Sequence, residues 1–126
     1  MAAGPKALAL IAWVLQLAAA AIFLLAGSKK LMADPQMVAA FTTVGIGQWF
    51  RLLTGLLEVT GAIGLLVPRL AAAAALMLAC VMVGATIAHL TVLGGSPGLA
   101  IVLLLACLAI ALLRRAGLAA LRKMPG

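Results

Sequence analysis

Apolar residues in this chain gather into four long runs, at residues 7–27, 49–67, 69–93 and 99–113. An α-helix rises 1.5 Å per residue, so about 20 apolar residues cross a hydrocarbon core of about 30 Å. The pattern predicts four membrane-spanning helices, the last of them short at roughly 22 Å. Between the first two runs, Asp34 and Pro35 form an N-cap and first-turn pair. Met37, Phe41 and Val44 then recur at helical spacing until Gly45 and Gly47 end the pattern. A short amphipathic helix over 35–44 is expected there, lying in the membrane interface, with Trp49 and Phe50 anchoring the next span. Pro68 predicts a two-residue connection that makes the second and third spans antiparallel neighbours. The cluster Gly94-Gly95-Ser96-Pro97-Gly98 breaks the third span from the fourth.

Composition agrees with the pattern. Of 126 residues 67% are hydrophobic and 9% charged, against about 45–50% and about 25% in soluble domains. That excludes an ordinary soluble globule, a disordered chain and a nucleic-acid-binding module. The net charge of +7 does not mark a phosphate-binding face, because the nine basic residues flank apolar runs. The expected fold is all-α: an integral membrane, antiparallel four-transmembrane-helix bundle forming one domain over 1–126. Lys6, Arg69, Arg114, Arg115, Arg122 and Lys123 then share one side, and Lys29, Lys30 and Arg51 the other. The excess of basic residues places both termini in the cytoplasm, with Arg114 and Arg115 snorkelling from the short last span. A cleaved signal is the competing reading of the first run, from Lys6 and the alanines at 18–21. The run stays apolar through Leu25, which favours a retained span. Gly55, Gly61, Gly64, Gly84 and the alanines at 71–75 offer surfaces for close helix approach.

Ionisable groups inside a bilayer are costly and need a reason. Two qualify, Glu58 near the middle of the second span and His89 one turn inside the end of the third. Measured from the outer boundary, Glu58 lies roughly 12–13 Å deep and His89 roughly 7–8 Å. Thr86 matches the depth of Glu58, and Arg51, Thr54, Gly55, Glu58 and Gly61 share one helix face. With Lys30 at the end of the first span, these groups form a candidate polar pocket in the outer half of the bundle. Its candidate ligand-binding residues are Lys30, Arg51, Thr54, Glu58, Thr86 and His89, with Glu58 and His89 as a candidate acid/base pair. The alternative is that Glu58 only pairs with a basic residue and locks helices together. Arg51 alone reads more readily as an interfacial snorkeler. The inner half offers only aliphatic residues and Gln16. Cys80 and Cys107 lie near the midplane and read as small hydrophobes more readily than as a redox dithiol. There is no metal-ligand cluster, and a single His does not suit bis-His haem.

Several segments carry a family resemblance. Gly27-Ser28-Lys29-Lys30-Leu31, with Phe41 and Gly45 after it, resembles the opening of the DoxX-like family. The stretch from Arg51 through Thr54-Gly55 and Glu58 to Gly61 and Gly64 is similar to the second-helix signature of that family. Met82-Val83-Gly84-Ala85 leading to His89 is similar to its third-helix motif. The resemblance implies a small four-span protein of the bacterial inner membrane, associated with quinone-linked or thiol-linked oxidoreductase complexes. It carries over to Lys30, Glu58, Gly61, Gly64 and His89. An accessory subunit contacting a quinone or lipid is the expected function. A stand-alone binder of, or acid/base enzyme on, a lipophilic small molecule is the alternative. Expected partners are the lipid bilayer and membrane oxidoreductase subunits; self-association and the identity of any cofactor stay open.

Overall fold

A computed structural model describes residues 4–122, with side chains through residue 118. The expectations for Lys123 and for the side chain of Arg122 lie outside that range. Every regular element among the described residues is helical: α1 (Pro5–Leu31), α2 (Pro35–Val44), α3 (Gln48–Leu65), α4 (Ala71–Ala88), α5 (Gly98–Leu113) and α6 (Arg115–Arg122). A π-turn over His89–Leu93 continues α4. Two helices are long and apolar enough to cross a membrane, Pro5–Leu31 and Ala71–Leu93; Gly98–Leu113 is apolar but shorter.

Local chemistry sets the helix ends. Pro5 opens α1 in its first turn, where the missing N–H has no helical partner to lose. The helix runs a full turn past the apolar run, through Lys29 and Lys30, whose charges suit the negative end of the helix dipole. It closes with Ala33 at φ 57°, a left-handed position usually taken by glycine, and the Asp34 N–H donates back to the Lys29 carbonyl. The Asp34 carboxylate then accepts from the Gln36 N–H to start α2. Helix α3 stops at Leu65, short of the expected Val67. Leu66 and Val67 donate to the Ile63 and Gly64 carbonyls in a tightened last turn, and Pro68 disfavours helix in the residue before it. The link to α4 is therefore residues 66–70, longer than the two-residue connection expected.

One core joins four helices. Ala19, Ala20 and Phe23 of α1 pack with Ala62 and Leu65 of α3, with Ala75, Leu78 and Met82 of α4, and with Leu103, Cys107 and Ile110 of α5. Interior positions are rich in alanine, whereas Leu10, Val14, Leu25, Ile63, Ile87, Val102 and Leu105 point outward. Small residues inside let backbones approach, and large aliphatics outside suit lipid. Residue numbers run in opposite senses along the contacting helices. On α1 and α3, Gly27 sits against Gly55 and Gln16 against Leu65. On α3 and α4, Gly61 faces Leu78 and Gly64 faces Ala74. Gly84 departs from expectation: a methyl group there would meet nothing within 4 Å, so it is not a packing contact. Gly27 takes that role instead, since a methyl group on it would lie 2.8 Å from the Gly55 carbonyl oxygen.

Candidate functional site

The extra turn of α1 and the Gly27–Gly55 approach together create the site. Because the two backbones come so close, Lys30 meets α3 side-on, its Nζ 2.7 Å from Oε1 of Glu58. The Glu58 side chain is 2% exposed and the Lys30 side chain 12%. The contact is an ion pair at close range, and that Oε1 has no second donor among the described residues. Removing two such charges from water is expensive, and their mutual attraction offsets that only when the pair is intact.

Arg51 stands one level above. It is buried, not snorkelling as expected for an interfacial residue. Its Nη1 donates to the Lys30 backbone carbonyl, and its Nε donates to Gln48 Oε1 at 2.7 Å. The open end of α1 explains the difference, because the last-turn carbonyls of a helix lack intrahelical donors and attract a guanidinium. Gln48 completes the chain of contacts. Its Nε2 donates to the Val38 carbonyl and to Thr42 Oγ1, both on α2. One network thus ties α1, α2 and α3 through Lys30, Arg51 and Gln48. Gln48 was not among the residues expected at the site. Its signal was its position, a lone amide at the start of a helix that also carries Arg51.

The remaining candidates stand apart from this network. Thr54 donates to the Phe50 carbonyl and Thr86 to the Met82 carbonyl, each within its own helix. His89 opens the π-turn, and its Nδ1 lies 3.1 Å from the Gly94 carbonyl oxygen. A carbonyl only accepts, so this bond requires the proton on Nδ1 and leaves Nε2 as the ring's acceptor. The Gly94 N–H donates back to the His89 carbonyl, so this residue closes its own turn. Glu58 has Lys30 as its ionic partner and His89 is engaged with Gly94, and these contacts do not join the two as an acid/base pair. Cys107 is buried while Cys80 is exposed, and both are free thiols.

A second polar centre lies at the far end of the bundle. Gln16 is completely buried, and its Nε2 donates at 2.7 Å to the carbonyl of Leu65, the last residue of α3. Arg114 turns inward, donating from Nε to Gln16 Oε1 at 2.7 Å with its guanidinium 5.5 Å from the Trp13 ring centroid. The expectation of a snorkelling Arg114 is therefore corrected. The guanidinium takes a buried acceptor and an aromatic face within the bundle instead. Two clefts mark the surface. One of about 430 Å³ lies between the start of α1 and the end of α5, and one of about 210 Å³ runs between α1 and α3 beside Leu17, Leu24 and Ile63. Neither is lined by Lys30, Arg51, Glu58 or His89.

Apolar helices with small residues inside and large ones outside, holding a largely buried Lys–Glu pair, define a small all-helical membrane protein. The chain belongs to the DoxX-like family, whose family model matches residues 14–112. No curated protein and no solved structure matches it.

Proposed function

We propose that this protein is an antiparallel four-span bundle of the bacterial cytoplasmic membrane, with both termini in the cytoplasm and α2 in the outer interface. In this reading it serves as an accessory subunit of a membrane redox system, and its Lys30–Glu58 end meets the polar head of a quinone or lipid. The four spans are α1, α3, α4 with its π-turn, and α5. Their support is the shared core and the apolar exterior. The excess of basic residues at the end that carries Lys6, Arg69 and Arg115 supports the orientation.

The single observation that carries the site is Oε1 of Glu58, buried and charge-paired with Lys30 yet without a second donor among the described residues. A carboxylate oxygen only accepts, so it favours a hydroxyl donor from a bound molecule, which a lipid headgroup or the quinol form of a quinone carries and the oxidised quinone, with carbonyls alone, does not. Lys30, the less buried partner, stands on the side from which such a molecule approaches. Native mass spectrometry of gently extracted protein, with an absorption spectrum on the same sample, tests the reading. The wild type is expected to carry a quinone or lipid, and Glu58→Gln to lose it while folded yield is retained. An empty wild type, or a ligand unaffected by Glu58→Gln, overturns the site. A pull-down from native membranes without any oxidoreductase overturns the accessory role.

A further inference from the structure

Among the described residues, the Arg114 end of the bundle holds no acidic side chain. The chain has two acidic residues. Glu58 is paired with Lys30, and Asp34 caps α2. Both stand toward the opposite end of the bundle. Among the described residues, Arg114 and Arg115, at the junction of α5 and α6, have uncharged partners. Arg114 contacts Gln16 Oε1 and the face of Trp13, while Arg115 donates to the Leu112 carbonyl. Nη2 of Arg114 is buried with no partner at all among the described residues, a costly condition for a charged donor.

The 430 Å³ cleft adjoins these groups. Arg114, Arg115 and Ala116 line one side of it, and Leu8, Ala12 and Leu112 are among its apolar walls. Arg115 and Ala116 are the first residues of α6, where backbone N–H groups lack helical acceptors and the helix dipole is positive. Arg114, Arg115 and a helix start therefore border a cavity whose other walls are largely aliphatic, with the Arg114 guanidinium turned inward and Arg115 exposed at its edge. An anion answers the first half of that arrangement and a hydrocarbon chain the second.

We propose that this cleft binds the phosphate headgroup of an anionic phospholipid, with Arg115 and the start of α6 at the phosphate and an acyl chain along Leu8 and Leu112. Basic pockets between membrane helices are suited to such headgroups. Nearly all of the cleft lies outside the residues matched by the family model, so the proposal rests on this chain alone.

The test is native mass spectrometry of the purified full chain with phosphatidylglycerol or phosphatidylcholine of matched acyl chains. A third arm adds inorganic phosphate to the phosphatidylglycerol complex. Phosphatidylglycerol is expected to be retained in preference to phosphatidylcholine. Arg115→Gln should weaken phosphatidylglycerol roughly fivefold, the share expected of one basic residue at an anionic headgroup. The same variant should leave phosphatidylcholine binding, the melting temperature and any ligand at the Lys30 end unchanged, because Arg115 is exposed and remote from Glu58. Equal retention of the two lipids overturns the proposal, as does indifference to Arg115→Gln. Displacement of the lipid by millimolar phosphate identifies a free-anion site instead and overturns the lipid assignment.

Discussion

The two polar centres of this bundle solve the same physical problem with different means. At the Lys30 end a buried cation faces a buried anion, and Arg51 turns to helix-end and amide acceptors. At the Gln16 end a cation is met only by neutral groups, an amide oxygen and an indole face. The first arrangement is charge-compensated and open only at its Lys30 side. The second is under-compensated and lies beside an open cleft. Charge compensation makes a centre fragile to the loss of one partner, since the survivor is then buried alone. Neutral solvation makes a centre less fragile, and leaves it attractive to an external anion.

That contrast can be broken by substitution. The largest effect is expected from Glu58→Leu, which strands Lys30 and should destabilise the fold by about 3–5 kcal/mol. Combining it with Lys30→Met should recover most of that loss, since an apolar pair of similar volume often replaces a buried ion pair without penalty. Unfolding in mixed detergent, followed by circular dichroism, reads both values; a double variant no better than the single one would show that the pair is not the unit of stability. A smaller loss, about 1–3 kcal/mol, is expected from Gln16→Leu, which leaves the Leu65 carbonyl and Arg114 Nε without partners. If Gln16→Leu proves worse than Glu58→Leu in the same titration, the ranking of the two centres is reversed. The smallest effect has the opposite sign. Ala33→Gly relieves a left-handed residue at the close of α1 and should stabilise by about 1 kcal/mol, read as a higher melting temperature.

The sequence revealed these centres unequally, for physical reasons. Glu58 stood out because charge inside an apolar run is rare and costly, and depth arithmetic put Lys30, Arg51 and Glu58 in the outer half of the bundle. Thr54, Thr86 and His89 fell in the same half but did not join the network. Depth follows from residue count, whereas partnership depends on helix rotation and on competition from the local backbone. A threonine in a helix has the carbonyl four residues back within reach, and both threonines use it. His89 similarly finds Gly94 at the end of its own turn. The Gln16–Arg114 contact was hidden because it joins the first and fifth helices, and a lone glutamine gives no hint of its partner. Glycine function was likewise half legible. Spacing marked Gly55 and Gly61 correctly, but Gly84 faces open space and Gly27 closes the helix contact.

The Gln16–Arg114 bond also orders the chain in time. Its two ends are 98 positions apart, whereas Lys30 waits only 28 residues for Glu58. During synthesis from the N-terminus, the first and third helices can complete their charge pair while the last helix is still unmade. Gln16 then stays without Arg114 until nearly the whole protein has emerged. The far end of the bundle is thus the final clasp of assembly, and a chain cut short before residue 114 keeps its ion pair but never makes the polar bond between its first helix and the end of its fifth.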